Sequence, residues 1–224
     1  MVRCLELFSG TGSVGKCCKE LGIETLSIDI DGRADITVSI LDWDYTTYPK
    51  DSFDLIWASP PCASFSKLQD AFRGRMRDGE IFTLEKQENN MKQVGDPLVK
   101  KALEIIEYFQ PELWFIENPQ TGGLKSREYM KDIPFYDIDY CRYCDWGYRK
   151  RTRIWTNKQG WNAMKCEGKG ICENMVGSLH KTNMGNTKRL LEAESMLGVL
   201  CHKRSTLDSR YRVPPNLIYS LLLD

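Results

Sequence analysis

Within its first 30 residues the chain passes from a short apolar run into a glycine-rich turn, then a helical stretch, then a second apolar run. Residues 3–8 end at glycines and suit a buried strand. Residues 13–21 carry helical periodicity and stop at Gly22, and residues 25–30 read as the next strand. Gly10, Gly12 and Gly15 fall in the turn with G-x-G-x-x-G spacing. Such glycines let the backbone bend sharply and approach a ligand at the N-terminus of the following helix. Asp29 closes the second strand, placed to accept hydrogen bonds from ribose hydroxyls. The pattern predicts a nucleotide-like cofactor without saying which one.

The same alternation continues. Residues 53–58 form an apolar run closed by Pro60 and Pro61. Asp96 is expected to N-cap a helix with Pro97 in its first position, and Leu98, Ala102, Ile105, Ile106 and Phe109 repeat on one face until Pro111. Residues 113–116, 135–140 and 153–156 read as strands, and 217–222 as a terminal helix opened by Pro214 and Pro215. Strands alternating with helices predict an α/β fold, a mostly parallel sheet with helices on both faces. The length, 224 residues, suits one domain. Residues 63–95 and 157–186 fit no regular element, and loops this long usually serve a function.

No apolar run approaches the roughly 18 residues needed to cross a bilayer, and Glu6 interrupts the N-terminal run, so a signal peptide is not expected. A soluble, intracellular protein that does not bind membranes is expected, with a monomer as the default. Nine cysteines, several in apolar surroundings such as Cys4, Cys17 and Cys18, fit reduced thiols. Basic and acidic residues balance at 31 each, so any nucleic-acid binding must use a local patch. Between Arg142 and Lys169, eight Lys or Arg face two acidic residues, a local charge of +6.

Three further motifs carry chemistry. SPPCASFS (59–66) follows a buried strand, and its prolines hold Cys62 at the strand's carboxyl end, where α/β folds bind ligands. WFIENP (114–119) puts Glu117 and Asn118 at another strand end on the same edge, where a carboxyl beside a thiol can serve as acid or hydrogen-bond donor. YRKRTRIW (148–155) places Arg149, Arg151 and Arg153 on one face by period-two alternation, a set suited to phosphate or carboxylate recognition.

Taken in order, ELFSGTG (6–12), Asp29, SPPCASFS, FIEN and the R-x-R of Arg151 and Arg153 resemble the DNA (cytosine-5) methyltransferase family over roughly residues 3–156. The short length resembles its small virus- and phage-encoded members. The resemblance implies a Rossmann-like methyltransferase fold, S-adenosylmethionine as cofactor and double-stranded DNA as partner. It further implies that Phe8, Gly10 and Gly12 line the cofactor, Asp29 binds its ribose, Ile30 packs on adenine, and Asp42, followed by Trp43, receives the adenine amino group. Pro60 touches the cofactor, Cys62 is the nucleophile, Glu117 meets the cytosine ring, and Arg151 and Arg153 hold the extruded nucleotide. Neighbouring arginines are expected to favour the Cys62 thiolate.

The chain also departs from the family. Its Pro-Gln before the arginine pair is replaced by Tyr148, Arg149 and Lys150. The C-terminal cofactor turn becomes Val213, Pro214 and Pro215, where no site is assigned. Residues 188–199 match the family's late helix weakly. The target-recognition region shrinks to residues 157–200, which points to a short target such as CpG. Arg73, Arg75 and Arg77 are expected on DNA phosphates. Rival readings are a tRNA cytosine-5 methyltransferase, a catalytically silent cofactor- or DNA-binding module, and a nicotinamide-dependent dehydrogenase, which leaves the cysteine, glutamate and arginine motifs unexplained. Cys144, Cys166, Cys172 and His180 can be read as a Zn²⁺ set, but the spacing is of no recognised module, so ordinary thiols are expected and no metal ligand is assigned.

Overall fold

The computed structural model describes residues 1–77, 79–182, 208 and 211–223. Strands β1 (Arg3–Leu7), β2 (Glu24–Asp29), β3 (Ile36–Thr37), β4 (Leu55–Ala58), β7 (Leu113–Pro119), β8 (Phe135–Asp139) and β9 (Arg151–Thr156) form one sheet in the order β3-β2-β1-β4-β7-β9-β8. The pairs from β3 through β7 are parallel, and only β9 runs against its neighbours. Every residue of β4 (LIWA) is buried, as befits a central strand covered on both faces. The expected mostly parallel α/β sheet of Rossmann-like type is what forms.

Helices cover both faces. On one, α3 (Asp96–Phe109) lays Val99, Ala102, Ile105, Ile106 and Phe109 against Leu5, Leu7, Ile56 and Ile116. On the other, α1 (Ser13–Glu20) and α4 (Pro215–Leu223) bury Val14, Cys17, Cys18, Leu217, Ile218 and Leu221 with Trp57, Phe115 and Ile154. β1 pairs with β2 on one side and β4 on the other. The chain order reverses there, and such a switch point opens a crevice at the strands' carboxyl ends. No described helix is long and apolar enough to cross a membrane.

Two expectations change. Residues 63–95 are not one irregular loop. They hold a hairpin of β5 (Met76–Arg77) and β6 (Glu80–Ile81), then α2 (Leu84–Asn90), which a π-helical turn (Met91–Gly95) joins to α3. Asp96 therefore cannot be an N-cap, because the residues before it are already helical. Its carboxylate is instead buried, accepting hydrogen bonds from the Arg127 guanidinium and from Tyr129 Oη (2.6 Å).

Removing one partner from such a buried set strands the others, so Asp96→Ala is expected to lower unfolding free energy by about 3 kcal/mol. Urea unfolding checks this, and a loss under about 0.5 kcal/mol, the range of an ordinary surface change, refutes it. Two further elements, β10 (Met175–Val176) and β11 (Leu179–His180), pair antiparallel beyond the main sheet. The late helix expected at 188–199, and residues 183–200 of the shortened recognition segment, lie outside the described residues.

Candidate active site

Two turns build the crevice. After β1, the chain passes through Phe8 (φ 58°) and Gly10 (φ 49°), both in the left-handed region. Phe8 is a bulky residue there, a position uncommon for any side chain with a Cβ. The turn is pinned from β2: Gly10 N–H donates to Asp29 Oδ2 (2.8 Å), while Asp29 Oδ1 accepts from Asp31 N–H (2.9 Å). From within β1, Glu6 accepts the N–H groups of Val14 (3.2 Å) and Gly15 (2.9 Å) at the start of α1. Burial nonetheless pushes the Glu6 carboxyl up to about 7.

The second turn carries Cys62. Its carboxyl side is locked by Phe65, whose ring sits so close over Gly95 that a Cβ there would fall 2.6 Å from it. Gly123 N–H donates to Phe65 O (2.7 Å). On the amino side, buried Asn118 donates from Nδ2 to Pro60 O (2.9 Å). The residue beside Glu117 thus ties the β7 end to the proline turn after β4. That link is the physical reason for the two motifs to belong together.

A cavity of about 450 Å³ joins the turns, a size typical of cofactor sites. Phe8, Gly10, Asp29, Ile30, Pro60, Cys62 and Glu117 all line it. Glu117 is buried, and its Oε1 accepts from Tyr140 Oη (3.0 Å) and faces Lys150 Nζ (3.2 Å). Oε2 makes no hydrogen bond to the described residues. Burial, and secondarily Glu117, push the Cys62 thiol above its ordinary range, while Lys150 pulls it down. The cation that tempers Cys62 is therefore Lys150 and not an arginine.

Some expected residues lie elsewhere. Trp43 packs in the core beside Tyr45 and Tyr48, and Asp42 is exposed, because the backbone turns back as the N–H groups of both bond Ser39 O. Neither lines the cavity, whereas Val38, Ser39 and Ile40 do. Arg153 is committed to Asp137 (2.7 and 2.9 Å) and stacks on Phe135, and Arg149 is paired with Asp139. Arg151 is exposed at the start of β9, outside the cavity. Of the basic patch, Arg142, Arg149, Lys150 and Arg153 already face carboxylates. Arg73 is held by Asp70 and Gln87, Arg75 is exposed, and the side chain of Arg77 lies outside the described residues.

A frog virus 3 (isolate Goorha) protein named as a probable DNA (cytosine-5)-methyltransferase is 42% identical over 223 residues, 99% of each chain. This chain belongs to the DNA (cytosine-5) methyltransferase family. No protein-family model matches it. Among solved structures, the S. pombe Dnmt2 methyltransferase shares 15% identity at a TM-score of 0.45, over 72% of this chain and 52% of that one. The Entamoeba histolytica methyltransferase EhMeth shares 16% at 0.46, over 88% and 66%. The chain thus spans only about half to two thirds of those solved structures, but nearly all of the viral relative.

Membership explains the crevice and also exposes what the motifs left out. Lys150, which stands among the residues replacing the family's Pro-Gln, reaches both Glu117 and the cavity. Tyr140, which orients Glu117, directly follows β8 and opens a 3₁₀ turn. Val213 and Tyr211 also line the cavity, and Val213 N–H donates to Ser13 Oγ (3.2 Å), so the altered C-terminal turn still reaches the crevice. Its position in chain order was the available signal.

Proposed function

We propose that this methyltransferase transfers a methyl group from S-adenosylmethionine to carbon 5 of cytosine in DNA by way of a covalent Cys62 adduct. The observation that carries the reading is the convergence of Cys62, Glu117 and Lys150 on a cavity whose other wall is the Gly10–Asp29 turn. The donor set fits such a cofactor. Phe8, Ile30 and Pro60 offer apolar surface, and the Gly10 backbone permits close approach, while Gly12, expected beside it, lines a neighbouring pocket instead. Each Asp29 oxygen keeps a lone pair for a ribose hydroxyl beyond the N–H it already accepts. When bound, S-adenosylmethionine supplies an electrophilic methyl group.

The protein's own part follows from the cysteine. Cys62 loses its proton to solvent and adds to carbon 6 of the cytosine, which makes carbon 5 nucleophilic enough to take a methyl group. Loss of the carbon 5 proton to a solvent water then breaks the carbon–sulfur bond, whose electron pair returns to sulfur and restores the thiolate. Glu117, oriented by Tyr140 and Lys150, hydrogen-bonds ring nitrogen 3 and the amino group, drawing charge from the ring as sulfur adds. A base must leave the duplex to reach this crevice, which costs a few kcal/mol. Exposed Arg151 suits a phosphate contact to the extruded nucleotide. Arg153, tied to Asp137, supports that strand from behind. The short 157–200 segment fits a short target such as CpG.

Duplex DNA incubated with enzyme and S-adenosylmethionine and then bisulfite-sequenced tests this directly. Protected cytosines in a short recurring context are expected. A methyl group on the exocyclic amine, or transfer to tRNA and none to duplex DNA, refutes the reading.

A further inference from the structure

Residues 157–182 have little to hold them. Beyond β9 the segment contains only the two-residue strands β10 and β11, and its buried residues are Trp161, Cys172 and Asn174. Too little apolar surface is buried past Trp161 to order such a stretch by hydrophobic packing alone, and segments of this kind commonly rely on disulfides or a metal. The segment is nevertheless laced tightly to the end of β8. Asp139 N–H donates to Met164 O (3.2 Å), Cys166 N–H donates to Asp139 Oδ2 (2.9 Å), and Asn174 Nδ2 donates to both Cys141 O and Cys144 O (2.8 Å each).

At the centre of this lacing stand Cys141, Cys166, Cys172 and His180, with one ligand atom from each lying within 4.8 Å of all the others. His180 Nε2 is 3.6 Å from Cys166 Sγ and 3.6 Å from Cys172 Sγ. A tetrahedral zinc centre, with Zn–S near 2.3 Å and Zn–N near 2.05 Å, sets sulfur and nitrogen about 3.6 Å apart. Cys144, the other candidate from the sequence, is not in the group: its thiol donates to Tyr140 O (3.1 Å). Cys141 and Cys172 are buried, Cys166 and His180 half-buried, and every cysteine among the described residues is a free thiol.

We propose that Cys141, Cys166, Cys172 and His180 bind a structural Zn²⁺ that staples the 157–182 segment to the catalytic sheet. Three thiols release their protons to buffer as three Zn–S bonds form, and the imidazole supplies a nitrogen. Four protein ligands close the coordination sphere, which marks a structural centre and leaves no open position for catalysis. The resulting site carries one net negative charge, and the Arg149 guanidinium, paired with Asp139, stands beside it. Cys141 directly follows Tyr140, whose hydroxyl orients Glu117. The centre therefore fixes the segment next to the residues that hold the crevice, and the inference does not depend on which nucleic acid is methylated.

The test is the zinc content of the full chain, expressed with added zinc and purified without chelator, measured by plasma mass spectrometry. About one zinc per chain is expected in the wild type and in Cys144→Ala, and near-background zinc in Cys172→Ala and His180→Ala. Should those variants fail to fold, cobalt replaces zinc in the wild-type chain. Intense visible bands of a tetrahedral cobalt–thiolate centre support the assignment. Wild-type protein that holds neither metal overturns it. So does zinc that persists in both variants, or a disulfide among Cys141, Cys166 and Cys172 in protein purified under reducing conditions.

Discussion

Cys62→Ser is expected to lower methyl transfer by at least about 10³-fold, some 4 kcal/mol of barrier, while leaving the fold intact. The substitution exchanges one heavy atom in a turn whose geometry is set elsewhere, by Asn118 on Pro60 O and by Gly95 and Gly123 around Phe65. What changes is acidity and softness. A serine hydroxyl titrates far above a thiol, and burial, which already pushes the Cys62 thiol up, would push an alkoxide further. Lys150 is too small an offset to recover that difference. The measurement is transfer of labelled methyl to duplex DNA under single turnover, together with denaturing electrophoresis for a covalent protein–DNA species using a carbon 5-blocked cytosine. Wild-type protein traps the adduct and the serine variant does not. Transfer within tenfold of wild type would remove the cysteine from the mechanism.

The sheet and its crevice were legible because they rest on local signals: apolar runs, glycines where φ is positive, prolines at strand ends. Each of these acts over a few residues. The failures share the opposite property. Asp96 looks like an N-cap from its neighbours Gly95 and Pro97, but its partner Arg127 stands 31 residues away, and the helix had already begun at Leu84 across a π-helical turn. Period-two alternation placed Arg153 on a face correctly in kind, yet it could not show that Asp137 on the adjacent strand occupies the guanidinium. Spacing likewise put Cys144, rather than Cys141, in the candidate metal set. Cys141 lies within a short 3₁₀ turn (Tyr140–Arg142) and Cys144 just beyond it, and only the fold decides which sulfur turns toward Cys166. Lys150 was hidden because it sits just before β9, where strand alternation does not yet fix its direction.

Glu117→Gln carries the second large effect: a fall of about 10²-fold in kcat with duplex binding unchanged within about twofold. Glutamine keeps the side chain's shape, and its carbonyl can still accept from Tyr140 Oη and Lys150 Nζ. Its amide can hydrogen-bond ring nitrogen 3 but cannot transfer a proton to it. The competing account is that Glu117 matters only through Cys62, and the charges give a way to separate the two. Glu117 raises the Cys62 thiol and Lys150 lowers it. Glu117→Gln should therefore shift iodoacetamide alkylation of Cys62 to lower pH, whereas Lys150→Met should shift it to higher pH and move the ascending limb of the activity profile, on which thiolate forms, the same way. In the first variant thiolate becomes more abundant while transfer falls, a combination that an effect confined to the cysteine cannot produce. If Glu117→Gln transfers methyl within twofold of wild type, or if its loss tracks a fall in thiolate, the carboxyl has no direct part in activating the base. If Lys150→Met leaves the alkylation profile in place, the lysine is a structural partner of Glu117 and Tyr140 alone.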